Sequence, residues 1–293
     1  MPAKVSIFCN FYVYCYFQVG VLSQDDKSRV PIGITAAKVQ APALMHLNYR
    51  VKLADHDWVV AAGHKLIPSV YGAMAIKPDG MGKEEAVTYS GPTYIAIRSG
   101  RHDSSTAVSH ALDFHRLLDL EEFRPFLKTE DGQVKPVVII SVDGGPDENP
   151  RYSKVIAQNV QHFKDFDLDG LFVVTNAPGR SAYNRVERRM APLSRQLSMV
   201  VLPHDQFGNH LDKDGKTVDE ALERENFRHA GKVLGELWSE LKIDGHDVVA
   251  EYITPDQRLP QPAEISPEWY VDHVREGQYI LQVSLRLFLV CKD

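Results

Sequence analysis

The chain has 293 residues, of which 44% are hydrophobic and 25% are charged, a balance typical of a folded globular protein and not of a disordered one. Its formal net charge of -6 at pH 7 argues against a generally basic nucleic-acid binder, so any nucleic-acid contact must come from a local basic surface. Cys9, Cys15 and Cys291 form no C-x-x-C pair, which predicts neither a disulfide framework nor a structural zinc site and favours a reducing compartment.

The first twenty residues are apolar and aromatic, as in a signal peptide or a membrane anchor. Asn10 and Gln18 interrupt this run, Lys4 is its only charge, and no small-residue cleavage site follows. The run is also short for a membrane span. We therefore interpret residues 1–18 as an atypical N-terminal extension, and we expect no membrane association.

Segments of strand length come first in the chain, and a single helix follows them. Apolar, β-prone runs predict strands over 18–23, 43–51, 66–76 and 93–98. Helical spacing of apolar residues predicts a helix over 104–120, for which Ser104 and Ser105 are the candidate N-caps.

Strands and helices alternate in the second half of the chain. The predicted strands are 137–142 and 171–175, and the predicted helices are 152–166, 182–197 and 218–241, with a further helical segment after a proline-rich stretch that starts at 254. The strand VVIISV at 137–142 is apolar on both faces, which is typical of a strand in the middle of a sheet with helices on each side. The pattern as a whole predicts an α/β fold with a mixed sheet.

Four carboxylates occupy positions where ligands bind in such sheets. Asp25 and Asp26 close the first predicted strand, Asp143 directly follows the strand 137–142, and Glu187 borders the apolar face of the helix 182–197. Clustered carboxylates need a compensating positive charge, and Mg²⁺ takes oxygen ligands of this kind. Turn formation, a solvated strand end or salt pairing with nearby arginines would explain each acid separately.

The order of the predicted elements resembles the RNase H-like fold of DDE transposases and retroviral-type integrases. The segment FVVTNAPGRSAYNRVERRMAPLS is similar to the late part of mariner-like transposase cores, in which a strand and a loop lead to a helix with an N-x-[VI]-E motif. The matching residues are Asn176, Pro178, Asn184, Val186 and Glu187. The match does not include the N-terminal DNA reader that such transposases usually carry.

The resemblance implies an RNase H-like core at 19–202, with a mixed five-stranded sheet flanked by helices, and a helical C-terminal extension at 203–293. It implies Asp25 or its neighbour Asp26 as the first metal ligand, Asp143 as the second and Glu187 as the third. Two Mg²⁺ or Mn²⁺ ions held there would support phosphodiester hydrolysis and strand transfer on DNA. The resemblance also implies a nuclear location, and it is compatible with a homo-oligomer.

A run of basic residues surrounds Glu187 and predicts a local DNA-binding surface, because arginine is well suited to phosphate contacts. Its members are Arg180, Arg185, Arg188, Arg189 and Arg195. A solvated helix face with its salt bridges is the alternative interpretation of the same run. Two other hypotheses for the whole chain stay open, namely a non-catalytic descendant that binds DNA or protein, and an unrelated α/β enzyme that acts on a small phosphorylated ligand.

Overall fold

A computed structural model describes residues 18–36, 61–78, 83–177, 179–180, 183–255 and 265–285. In these residues ten strands form one mixed sheet, which confirms the predicted α/β class, whereas the predicted count of five strands is wrong. The strands are β1 (Val19–Asp26), β2 (Val30–Pro31), β3 (Lys65–Ala73), β4 (Thr93–Ser99), β5 (Val137–Val142), β6 (Gly170–Thr175), β7 (Lys242–Ile243), β8 (His246–Tyr252), β9 (Val274–Glu276) and β10 (Ile280–Ser284). Their order is β7-β8-β4-β3-β1-β5-β6-β10-β9, with β2 paired to β3.

The centre of the sheet is a meander followed by two parallel strands. β3 is antiparallel to both β1 and β4, while β5 is parallel to β1 and β6 is parallel to β5. β5 is buried along its whole length, as its continuous apolar sequence predicts. The carboxyl ends of β1, β5 and β6 therefore meet at one edge, which we call the carboxyl edge.

Helices cover both faces of the sheet. In the described residues they are α1 (Ala107–Leu118), α2 (Arg124–Leu127), α3 (Ser153–Asp165), α4 (Glu187–Gln196), α5 (Glu220–Ser239) and α6 (Pro267–His273). On one side α1 and α3 pack against Leu22 of β1. On the other side α4 and α5 pack against Val70 and Ile95. We call these the α1–α3 face and the α4–α5 face.

The first helix begins later than its sequence suggests. Thr106 caps it, with Oγ1 accepting from the Ser109 backbone N–H at 3.1 Å while Ser109 Oγ accepts from the Thr106 N–H at 2.7 Å. This reciprocal pair satisfies two backbone donors at once, which the predicted caps Ser104 and Ser105 do not do.

The predicted helical extension at 203–293 is wrong for a large part of its described length. α5 and α6 are helical, but β7 and β8 extend the sheet beyond β4, and β10 and β9 extend it beyond β6. Leu281 and Val283 of β10 alternate with polar residues and bury their side chains in the core, a spacing that fits a strand.

Some sequence predictions lie outside the described residues. These are the extension up to residue 17, the strand at 43–51, the three cysteines and Pro178. Among the described helices, none combines the length and the apolar character needed to cross a lipid bilayer.

Candidate active site

Asp25 and Asp143 lie side by side at the carboxyl edge. β1 and β5 run parallel, with Ser23 level with Ser141, and each acid comes two residues later in its own segment. Since side chains alternate along a strand, this places both acids on the side of Ser23 and Ser141, the α4–α5 face. Neighbouring strands are about 4.8 Å apart, so the sheet itself brings together two acids that are distant in sequence.

Asn184 fixes the chain that leads into α4. Its side chain is buried, and its Oδ1 accepts from Ser23 Oγ at 2.5 Å and from Ser141 Oγ at 3.2 Å. Its Nδ2 donates to a backbone carbonyl of β1 at 2.8 Å, and Ser23 Oγ in turn accepts from the Val186 N–H at 3.1 Å. The asparagine of the N-x-[VI]-E motif thus bridges the two strands that the acids follow, and it positions the start of α4, where Glu187 lies, beside them.

Glu187 is the first residue of α4, whereas the predicted helix began at residue 182. Residues 184–186, just before it, are not α-helical, and the hydrogen bonds of Asn184 to the sheet hold them in place. At this helix start the carboxyl of Glu187 lies close enough to that of Asp25 to raise its pKa. The charge of Asp143 raises the same pKa, so Asp25, Asp143 and Glu187 lie near one another, and we call these three acids the triad.

The triad has an excess of negative charge. Burial, together with the charges of Glu148, Asp143 and Glu187, raises the pKa of Asp25 to about 9. At neutral pH Asp25 therefore keeps a proton. A divalent cation bound to the triad would replace this proton with a larger compensating charge.

Asp26 points away from the triad. It follows Asp25 on the strand, so its side chain lies on the α1–α3 face. There its carboxylate lies within 4.8 Å of ligand atoms of His110 and Asp147. Of the two acids proposed as the first ligand, the structure directs Asp25 towards Asp143 and Glu187.

The double glycine after Asp143 allows two strand ends to approach each other. Gly144 has a φ of +106°, and a Cβ atom there would collide with Thr175 Oγ1. That hydroxyl donates to the carbonyl of Asp143 at 3.0 Å, and Asn149 Nδ2 donates to the Gly144 carbonyl at 3.2 Å. The turn holds Asp143 against the end of β6.

The predicted basic surface divides into an exposed and a buried part. Arg180, Arg188 and Arg195 are exposed, whereas Arg185 and Arg189 are buried. Arg189 is only 1% exposed and donates to backbone carbonyls of the β3–β4 region, so its predicted role in nucleic-acid contact is wrong. Helical spacing explains the difference for Arg189, because it lies four residues before the buried Leu193 and shares its inward face.

Two residues near the acids carry no distinctive sequence signal. Lys27 is buried, its Nζ donates to Ser194 Oγ at 2.5 Å, and burial lowers its pKa while the charge of Glu187 opposes this change. Glu148 is also buried, and burial raises its pKa to about 8. Charged residues are usually solvated, so only the tertiary structure shows that Lys27 and Glu148 are buried.

Comparison with protein-family models, with curated proteins and with solved structures finds no match to this chain in any of the three. The function is therefore inferred from the geometry and the charge of the triad.

Asp25→Asn should stabilise the metal-free protein at alkaline pH. Between the ordinary pKa of 3.8 and the folded value of about 9, the folded state holds a proton that the unfolded chain has released, so this group's contribution to stability falls as pH rises. Asparagine is neutral at every pH and therefore lacks that dependence. We expect a gain of about 1–3 kcal/mol at pH 8 in chelator, measured by urea unfolding.

The same measurement at pH 5 should show a smaller difference between the two proteins. Asp165→Asn, at an exposed position of α3, is the matched control and should leave the pH dependence unchanged. An Asp25→Asn protein with the wild-type pH dependence would contradict the raised pKa of Asp25.

Proposed function

We propose that the chain is an RNase H-like, DDE-type core that hydrolyses phosphodiester bonds and transfers strands on DNA with the help of divalent metal ions. The observation that carries the proposal is the convergence of Asp25, Asp143 and Glu187 at the carboxyl edge. The proposal includes a nuclear location, where such chemistry would meet its substrate.

The topology of the central strands supports this proposal. The order β4-β3-β1-β5-β6 consists of an antiparallel meander followed by two strands parallel to β1. This is the arrangement that the resemblance in the sequence implies. The two acids follow the strands at its centre, and the helix that carries the third acid packs on the sheet.

The donor set of the triad fits Mg²⁺ or Mn²⁺. All three side chains offer carboxylate oxygens, and burial together with the neighbouring negative charges raises the pKa of Asp25, which a bound cation would relieve. When bound, two such ions would activate a water or a DNA 3′-hydroxyl and stabilise charge on the phosphate. The contribution of the chain is to hold the three oxygen donors in place through Asn184 and the Gly144 turn.

The exposed part of the basic surface supports DNA as the substrate. Arg180 and Arg188 lie near the start of α4, which carries Glu187, and Arg195 lies in its last turn. Tyr183 lies in the same segment and is 67% exposed, so it offers a ring for contact with a base or sugar.

Replacing Arg180, Arg188 and Arg195 together by Gln should weaken DNA binding. Each lost phosphate contact lowers the slope of log affinity against log salt by about 0.9, so we expect a decrease of up to about 3. Fluorescence anisotropy with duplex DNA at several salt concentrations measures this slope. Gln at Arg224 and Arg228, exposed on α5, is the control and should keep the wild-type slope; equal slopes in all three proteins would contradict the assigned surface.

The function itself is tested by incubating the purified chain with supercoiled plasmid and with linear and branched oligonucleotides in Mg²⁺ or Mn²⁺. We expect nicking that chelator abolishes. A failure to cleave any of these forms in either metal would count against catalysis. Salt-dependent DNA binding without cleavage would instead support the non-catalytic descendant.

A further inference from the structure

A second cluster of metal-ligating side chains lies across the sheet from the triad. Asp26, His110 and Asp147 each offer a ligand atom, and these atoms lie within 4.8 Å of one another. Asp26 ends β1, His110 lies in the first turns of α1, and Asp147 belongs to the turn after β5. Three separate elements therefore meet at this point on the α1–α3 face.

The ring of His110 is oriented by hydrogen bonds behind it. Tyr71 Oη donates its proton to Asp113 Oδ2 at 2.6 Å. The oxygen of Tyr71 therefore accepts from Nδ1–H of His110, also at 2.6 Å. Asp113 is in turn held by Arg98, whose Nη2 donates to it at 2.5 Å. Nε2 then faces Ser105 Oγ at 3.0 Å, Asp147 Oδ2 at 3.5 Å and Glu148 Oε1 at 3.6 Å, and a ring nitrogen oriented in this way is common for metal-binding histidines.

The charge of the cluster favours a cation. The carboxylates of Asp26 and Asp147 face a single imidazole, that of His110. In the described structure Asp26 Oδ1 is buried without a hydrogen-bond partner. An unpaired carboxylate oxygen is costly to bury, and a metal ion would supply the missing partner.

There is room for the rest of a coordination shell. A cavity between the sheet and the helices α1 and α3 adjoins the cluster, and His110 and Asp147 line it together with the polar side chains of Gln24, Gln158 and Asn159. Polar groups of this kind can hold water molecules that complete the shell of a bound ion.

Another histidine cluster in the described chain is already satisfied by hydrogen bonds. His64 and His210 face each other with their Nε2 atoms 2.9 Å apart, beside Glu223. Asn226 Nδ2 donates to Nδ1 of His210, which leaves the proton of that ring on Nε2, where it can be donated to His64. Arg101 also lies 3.4 Å from Glu223 and supplies a positive charge, so this cluster has less need of a metal.

We propose that Asp26, His110 and Asp147 bind a divalent transition-metal ion of the Zn²⁺ type. One imidazole nitrogen and two carboxylates suit such an ion better than Mg²⁺, which prefers oxygen ligands alone. The site shares no ligand with the triad, so it does not depend on the proposed nuclease function. A bound ion would tie the end of β1 to α1 and to the turn that follows Asp143.

The test is zinc titration of the chelator-treated full chain by calorimetry at pH 8, combined with elemental analysis after dialysis. His110→Gln and Asp147→Asn should each weaken zinc binding at one site by at least tenfold. His115→Gln, a histidine change on the same helix, is the matched control and should keep wild-type zinc binding. Circular dichroism verifies that each variant is folded, and the Asp147 variant serves if the buried His110 change unfolds the chain.

The variants Asp143→Asn and Glu187→Gln separate this site from the triad. Zinc binding that survives both changes but is lost in His110→Gln supports the proposal. Zinc binding that is unaffected by His110→Gln and Asp147→Asn, or that requires Glu187, would overturn it. A failure to cleave DNA would leave the expected zinc result unchanged, so the two proposals fail independently.

Discussion

Glu187→Gln and Asp143→Asn should each lower the rate of metal-dependent DNA cleavage by about 100-fold or more. Each change keeps the shape of the side chain and removes an anionic oxygen from the triad, so the loss would come from weaker cation binding and weaker charge stabilisation. Single-turnover cleavage in Mg²⁺ and in Mn²⁺ measures the effect.

The control for this prediction is Asp165→Asn, which removes an exposed acid from α3 and should cleave at the wild-type rate. Asp25→Asn should join the inactive group although its metal-free form is the more stable, because the crowded carboxylates that bind a cation destabilise the protein without one. If the Glu187→Gln protein cleaved DNA at the wild-type rate, the assignment of Glu187 as the third metal ligand would be wrong.

Arg189→Met should destabilise the protein by about 2–4 kcal/mol. The guanidinium of Arg189 donates to the carbonyls of Gly91 at 2.8 Å and Pro92 at 2.5 Å, and to Thr93 Oγ1 at 2.6 Å. Methionine fills a similar volume but donates nothing, so these buried acceptors lose their partner. Urea unfolding at neutral pH measures the change in the free energy of unfolding.

Arg188→Met is the matched control, because Arg188 is adjacent in sequence but exposed, and losing its contact over the Tyr89 ring should cost no more than about 1 kcal/mol. Equal effects of the two substitutions would contradict the assignment of Arg189 to the core. The pair also separates structural from DNA-binding arginines, since only Arg188 belongs to the surface whose loss should weaken DNA binding.

The sequence predicts the centre of this fold well because local patterns decide it. β5 has the bounds predicted for it, since a strand buried on both faces is continuously apolar and ends where Asp143 begins. The helix predicted at 152–166 is confirmed as α3, whose apolar spacing buries Val155, Val160 and Phe163.

Features that depend on distant partners were not predictable in the same way. α4 begins at Glu187 because Asn184 bonds to two strands more than 40 residues away in sequence, which helical periodicity does not register. The choice between Asp25 and Asp26 depends on strand alternation and on which helix covers each face. For the same reason His110 resembles an ordinary helix residue until Asp26 and Asp147 are seen beside it.

Anomalous diffraction from crystals soaked in Mn²⁺ tests the central claim most directly, because it locates the ion without any assay of activity. The account predicts an anomalous peak coordinated by carboxylate oxygens of Asp25, Asp143 and Glu187. A crystal structure in which the Glu187 carboxylate points away from the two aspartates, with no manganese between them, would contradict it.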